Sequence, residues 1–466
     1  MRTDARNFHF LGICGTAMGA VAAALVERGF AVSGSDENVY PPMSTFLESR
    51  GVRLKAGYRA ENIPADADVI VIGNAMTRGN PEVEEVLNRK LYYLSLPQVL
   101  QQNFLRNRHN LVVTGTHGKT TTTALLTWIM SVAGLDPSYM IGGIPKNLGQ
   151  GARFNDSKYF VIEGDEYDTA FFDKRSKFVH YLPELLIVNN IEFDHADIFH
   201  DLEQIKTSFR HLLRIVPQNG MVLLNGDDAN CMSVANESFA PIVEIGFSEN
   251  CAQRIRDVDY SSEGSRFTLG DDGFELPLIG EFNVRNAAMA ITAARFYGAT
   301  PEKIREALAS FKGIARRQEV RGEARGVKVI DDFGHHPTAI AQTLTALRHR
   351  YPGHRLWAVF EPRSNTTRRA IFQQQLPDAL QLADGVFIAQ VAKLEQIAED
   401  ERLNPEAVVA AIAASGRPAF YEKDAAHIVD RLLPLLQPND IVTVFSNGGF
   451  DGIHEKILAR LREDAG

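Results

Sequence analysis

Cysteine is scarce in this sequence. Cys14, Cys231 and Cys251 are the only three in 466 residues. Their number is odd and their spacing suits no metal. That excludes a disulfide framework and predicts a reduced, cytoplasmic setting. Positive charge is also in short supply, with a formal net charge of -9. A general nucleic-acid binder needs a basic footprint, so no nucleic-acid partner is expected. Long apolar runs are absent as well. None can span a bilayer, and the first ten residues lack the apolar core of a secretory signal, so no membrane insertion is expected. Nothing in the sequence fixes an oligomeric state. The rest of the composition is ordinary, with 45% hydrophobic and 23% charged residues. That is ample for cores in roughly two to four domains.

What the chain does have is a series of apolar strand-like runs that end in polar tips. The first is Phe8-His9-Phe10-Leu11-Gly12. A glycine turn, Gly12 to Gly19, follows it, then a helical run and a second strand ending at Ser35-Asp36. This is a βαβ unit of Rossmann type. Cys14 stands where G-x-G-x-x-G wants its second glycine, while Asp36 lies at the distance expected of a ribose contact. A nicotinamide, a UDP-type pyrophosphate, or glycines that serve packing alone all fit. The next strong run, 68–75, ends in the small residues Gly73, Asn74 and Ala75, as a ligand-facing strand tip does. Leu96-Pro97 opens a helix through Phe104, and the polar segment 106–110 reads as a domain boundary.

The densest signal is Thr114-Gly115-Thr116-His117-Gly118-Lys119-Thr120-Thr121-Thr122-Thr123. It follows the apolar Leu111-Val112-Val113 and opens a helical run, the setting in which Gly-Lys-Thr binds phosphate. N–H groups of the turn and helix start face an anion. Lys119 adds charge for the β/γ-phosphates, and the Thr120 hydroxyl suits Mg²⁺. Only two residues intervene between Gly115 and Gly118, so the loop is shorter than G-x-x-x-x-G-K-[ST]. Downstream, the strand 159–163 runs into Glu163, Asp165, Glu166 and Asp168. Such a carboxylate cluster is costly without a cation, and Mg²⁺ is the natural partner. A further run, 185–191, leads to Glu192, Asp194 and His195.

Residues from about 247 to 279 read as short antiparallel strands. Asn283 and Asn286 share one face of the helix that follows, where two amides either read a purine or cap the helix. Residues 314–317 form a basic link to a last α/β segment. Its strand tips carry Asp331, Asp332, His335 and His336, then Glu361, Arg363, Ser364 and Asn365. The adjacent histidines point to opposite faces of an extended segment, which favours hydrogen bonding over metal ligation. Arg363 suits a carboxylate held in a bidentate grip.

These motifs resemble the Mur ligases. The likeness rests on the 114–123 decapeptide, Glu163-Gly164-Asp165-Glu166, Asn190-Ile191-Glu192-Phe193-Asp194-His195, and the stretch from Asp331 to Thr338. It covers essentially the whole chain. The resemblance implies an α/β protein of three domains: a Rossmann-like UDP-binding domain (1–108), a central P-loop ATPase with a parallel sheet plus a small antiparallel sheet (109–318), and a C-terminal Rossmann-like domain (319–466).

It also implies roles. ATP would lie on Gly115, Thr116, His117, Gly118, Lys119, Thr120 and Thr121. Asn283 and Asn286 would be near adenine, Asp332 near the ribose, Arg317 near the γ-phosphate and His336 on the ATP side of the last domain. Mg²⁺ would sit among Thr120, Glu163 and His195, and Lys119, His195 and Arg317 would carry the catalysis. Gly12, Gly15, Ser35, Asp36 and Asn74 would meet the UDP-sugar, and Arg363, Ser364 and Asn365 the amine donor. Phe282 stands where relatives often carry His, and Gly164 where Ala is frequent.

Within the family, residues 167–181, 361–366 and 446–450 look like members that join UDP-N-acetylmuramate to the tripeptide L-alanyl-γ-D-glutamyl-meso-diaminopimelate. Addition of free L-alanine is the alternative within the class. A non-catalytic nucleotide-binding sensor is the alternative outside it.

Overall fold

A computed structural model describes residues 5–392 and 394–463. The chain divides into two compact units. One holds the residues up to Gly142 with Gln150–Ile191 and Glu203–Glu244; the other holds Gly143–Gly149, Glu192–Leu202 and everything from Ile245.

Among the described residues the first unit contains two larger sheets and a two-stranded hairpin sheet. The N-terminal sheet is all parallel, in the order Arg53–Ala56, Ala31–Asp36, Asn7–Leu11, Val69–Ile72, Tyr93–Ser95. Its core packs Leu11, Ile70 and Ile72 against Val83 and Val86 of the helix Pro81–Asn88. Asn80 caps that helix by accepting from Glu82 N and Val83 N, and Pro81 takes the first helical position, where its missing N–H costs nothing. Phe172 reaches the same core from the hairpin of Asp168–Ala170 and Asp173–Ser176, edge-on to Tyr93 at 4.9 Å. Leu96–Leu100 is α-helical, but Gln101–Leu105 winds as a π-helix, so the expected single helix changes pitch before the boundary segment.

The second sheet of this unit runs Met221–Asn225, Leu185–Val188, His109–Thr114, Tyr159–Glu163, Ser138–Met140, all parallel, with Ala152–Arg153 antiparallel at the edge. Leu111, Val112 and Val113 are wholly buried. This is the mark of a strand covered on both faces, and it explains why the run is continuous rather than alternating.

In the second unit, Ile245 and Gly246 pair with Gln253 and Arg254. The chain then forms the expected antiparallel strands Gln253–Tyr260, Ser265–Leu269 and Asp272–Leu276. The helices Glu281–Phe296 and Pro301–Ala309 follow. A six-stranded sheet completes the unit in the order Glu319–Ala324, Val327–Asp332, Ile441–Phe445, Leu356–Phe360, Gly385–Ala389, Ala419–Glu422. Only the first strand is antiparallel to its neighbour. Separate apolar clusters cover its two faces. Among the described residues no helix is long and apolar enough to cross a membrane.

Candidate active site

In the first unit the strand His109–Thr114 feeds a tight turn and then the helix Lys119–Val132. The turn needs glycine twice. Gly115 has φ 125 and Gly118 φ 78, both in the region that side chains disfavour. A Cβ on Gly115 would also lie 3.0 Å from Asn190 N. Asn190 holds the loop from outside. Its carbonyl accepts from Thr116 N at 3.1 Å, its Oδ1 accepts from His117 N at 2.7 Å, and its Nδ2 donates to His117 O at 3.2 Å. Thr121 is buried at the helix start.

Lys119 Nζ donates to Gly115 O at 2.7 Å and lies 2.9 Å from Glu166 Oε2. The pair is shielded, the side chains being 14% and 3% exposed. Burial opposes the ammonium charge, but Glu166, Asp165 and Glu163 outweigh it and hold the lysine above its ordinary value. Thr120 Oγ1 donates to Glu163 Oε1 at 3.0 Å, and Glu163 Oε2 accepts from Gly142 N at 2.7 Å. The carboxylate tip is thus interleaved with lysines. Lys119 meets Glu166, Lys177 meets Asp165 and Lys174 meets Asp168. The sequence reading foresaw a cation for this cluster and named Mg²⁺, but overlooked these ammonium groups, of which Lys119 comes from a helix 47 residues away and Lys174 and Lys177 from the segment just after the acids.

The other glycine turn is built differently. Gly12 N and Ile13 N donate to Ser35 O at 2.9 and 3.1 Å. Gly15 is the N-cap of Thr16–Glu27. Asp36 Oδ2 accepts from Cys14 N at 2.9 Å. Ser35 Oγ donates to Glu82, a buried acid that also takes Asn62 Nδ2 at 2.7 Å and Arg59 N at 3.1 Å. Asn74, with its amide turned to donate, meets Asp168 Oδ1 at 3.1 Å. The side chains of Ser35, Asp36 and Asn74 therefore hold the protein's own groups.

In the second unit His195 has φ 56, a left-handed conformation uncommon outside glycine. Its N–H donates to Asp194 Oδ1 at 2.7 Å. Asp194 also accepts from Thr366 Oγ1 at 2.6 Å and sits 3.6 Å from His335 Nε2. Burial works against its charge, yet His335, His195 and Thr366 hold it well below the usual carboxylate range. His336 caps the helix Pro337–Arg350, its Nδ1 accepting from Thr338 N at 3.2 Å, and its Nε2 is 3.3 Å from Phe193 O.

Arg316 and Gln318, on either side of Arg317, are also left-handed, with φ 63 and 49. Arg317 lies over the Phe333 ring at 5.1 Å. Asp332 Oδ1 accepts from Gly334 N at 2.7 Å and Oδ2 from Gln318 N at 2.9 Å. Burial raises its pKa despite the nearby Arg317 and those two N–H donors. On the helix Glu281–Phe296, Asn283 Nδ2 donates to Ile279 O at 2.9 Å. The buried Asn286 Nδ2 has no hydrogen-bond partner among the described residues.

Arg363 lies 3.6 Å from Glu361 and is half exposed. Ser364 Oγ bonds Thr367 Oγ1 at 2.8 Å, and Asn365 Nδ2 donates to Asp197 Oδ2 at 2.8 Å. Sequence reasoning assigned His195 but passed over Asp194 beside it, and assigned Glu163 but not Glu166. Both lay inside motifs already singled out.

A lysine-bearing phosphate turn beside an acid tip defines a nucleotide-dependent class of enzyme, and comparison with known proteins narrows it. Residues 7–108 match the description "Mur ligase family, catalytic domain", 113–294 "Mur ligase middle domain" and 316–448 "Mur ligase, glutamate ligase domain". The UDP-N-acetylmuramate--L-alanyl-gamma-D-glutamyl-meso-2,6-diaminoheptandioate ligase of Escherichia coli (strain K12) is 46% identical over 462 residues, covering 98% of this chain and 99% of that one. A UDP-N-acetylmuramate--L-alanine ligase of Acetivibrio thermocellus is 33% identical over 461 residues, covering 97% and 96%. The crystal structure of a murein peptide ligase from Psychrobacter arcticus 273-4 superposes with a TM-score of 0.72 at 35% identity, covering 98% and 99%. The chain belongs to the Mur ligase family.

Proposed function

We propose that the protein joins the carboxylate of UDP-N-acetylmuramate to the amine of L-alanyl-γ-D-glutamyl-meso-diaminopimelate, at the expense of ATP and with Mg²⁺. The observation that carries the choice of amine donor is the 46% identity to a tripeptide-adding ligase against 33% to an L-alanine-adding one. In this reading residues 1–108 hold the UDP-sugar through Gly12, Gly15, Ser35, Asp36 and Asn74. Residues 109–318 hold the nucleotide, and 319–466 bring Arg363, Ser364 and Asn365 to the peptide. The reaction re-uses released wall peptide in the cytoplasm, which accords with three free cysteines.

The residues present suit a magnesium nucleotide. Gly115 and Gly118 give the helix start the positive-φ backbone of a phosphate turn, and the buried, unpartnered Asn286 amide offers a donor of the kind a purine edge accepts. Lys119 and Arg317 would hold phosphates; Thr120, Glu163 and His195 would hold the metal; Asn283, Asp332 and His336 would complete the nucleotide's contacts. When bound, ATP supplies the phosphoryl group that makes a carboxylate electrophilic, and Mg²⁺ offsets charge on it. Lys119 would stabilise negative charge on the transferring group from a site where burial strengthens it. Asp194 would orient the His195 backbone.

Product formation tests the reading directly. With ATP, Mg²⁺ and UDP-N-acetylmuramate, phosphate release and a new amide should appear on adding tripeptide. Preference for free L-alanine would overturn the choice of donor. Nucleotide binding without any ligation would favour a sensor.

A further inference from the structure

The second unit contains a cleft of about 390 Å³, within the range of roughly 300–1,000 Å³ common for small-molecule sites. Its wall includes Phe193 and Ala196, which bracket Asp194 and His195 in sequence. Phe199 and Ile371 make it apolar, and Arg369, Asp400 and Glu401 place charge at it. The frame is tied together. Thr366 Oγ1 donates to Asp194 and accepts from Ala196 N at 3.3 Å. Arg369 Nη1 donates to Asn365 O at 3.2 Å. Leu403 N donates to Arg368 O at 3.0 Å, fixing the turn that carries Asp400 and Glu401. The charges themselves are not locked. Arg369 Nε and Glu401 Oε2 are 3.8 Å apart, and the Glu401 side chain is 60% exposed. So loose a pair opens at little cost, leaving one guanidinium and two carboxylates for a ligand, with His200 also on the wall.

We propose that this cleft receives the distal end of the amine donor, a zwitterionic α-amino-acid terminus on a short aliphatic chain. Arg369 grips the terminal carboxylate, Asp400 and Glu401 take the ammonium, and Phe199 and Ile371 line the spacer. This rests on the tripeptide reading above, in which the diaminopimelate side chain ends in such a group. The charge set disfavours the other candidates. Two acids repel a triphosphate. A UDP-sugar has no ammonium. Free L-alanine would fill little of the volume and would place its attacking amine against carboxylates that keep it protonated.

Two truncated peptides test it: one with lysine in place of diaminopimelate, lacking the distal carboxylate, and one with 2-aminopimelate in its place (the pimelyl peptide), lacking the distal ammonium. Wild-type protein should show a KM at least tenfold lower for the full tripeptide than for either. The double variant Asp400→Asn/Glu401→Gln should raise the tripeptide KM about tenfold and leave the pimelyl peptide unchanged. Arg369→Ala should raise the tripeptide KM and spare the lysine peptide. Calorimetric binding of tripeptide to nucleotide-free protein should shift in parallel, with kcat and the KM for ATP unchanged. Equal shifts for all three peptides, or none, would overturn the assignment. If wild-type protein ligates no tripeptide, the proposed reaction fails. If it ligates tripeptide and the variants behave like it, this inference alone fails.

Discussion

Two turns in the first unit share one local design and differ in charge. Gly12 and Gly115 each end a buried strand and precede a helix, Thr16–Glu27 in one case and Lys119–Val132 in the other. In the first turn a carboxylate occupies the helix start, with Asp36 on Cys14 N. Burial, Asp36 and Glu48 push the Cys14 thiol up to about 11, so the region is electrically negative and the thiol inert. In the second turn a shielded ammonium stands at the helix start, and the N–H groups are held by the neutral Asn190. A strand–glycine–helix unit is therefore not in itself a triphosphate site. The residues around it decide whether it offers a ligand a cation or hydrogen-bond acceptors.

The largest expected effect comes from removing that cation. Lys119→Ala should cut kcat by about 10²–10³-fold. It also strands Glu166, at a cost of about 3–5 kcal/mol in stability. Lys119→Met/Glu166→Gln should recover much of the melting temperature but none of the activity. Recovery of both would refute a role for Lys119 in catalysis.

The strands that feed the turns differ too. His9, three residues before Gly12, is wholly buried with its Nδ1 2.9 Å from Ser33 Oγ, while Val112 holds the matching place before Gly115. Burial, with Lys55 and Arg53, lowers the His9 pKa from 6.5 to about 4. The folded protein thus binds this proton more weakly than the unfolded chain. The stability it confers is complete above pH 6.5 and is lost as pH falls toward 4. Between those limits the stability difference between wild type and His9→Val should change by about 3 kcal/mol, with wild type losing more on acidification. Denaturation curves that run parallel across that range would exclude it.

The smallest effect is expected at the negative turn. Asp36→Asn should raise the KM for UDP-N-acetylmuramate about tenfold, near 1.4 kcal/mol, and leave that for ATP alone. An equal change in both would mean that the two turns are not independent.

Local chemistry made much of this legible in sequence. The Gly115–Lys119 turn, the apolar strands and the antiparallel segment are written in adjacent residues. Several edge strands were not seen, two of them in the last sheet. Glu319–Ala324 and Ala419–Glu422 are polar or only half-buried, as edges are, and lack the apolar run that marks a central strand. Pairings between tips were equally hidden. Lys119 finds Glu166 47 residues away, and Thr366 finds Asp194 at a separation of 172. Such contacts depend on how strands are ordered in a sheet, which no local pattern records. For the same reason the bonds of Ser364 to Thr367 and of Asn365 to Asp197, 168 residues away, were not legible in the run 361–366.

Gly448 leads to a prediction about ancestry. A Cβ there would lie 2.5 Å from Arg363 Nε. The backbone at 448 can accept a side chain only if the guanidinium moves aside, which a flexible arginine can do without unfolding the protein. Positions 363 and 448 should therefore have changed together during divergence. In descendants where 448 gained a side chain, 363 should have lost its arginine or turned it to a different task.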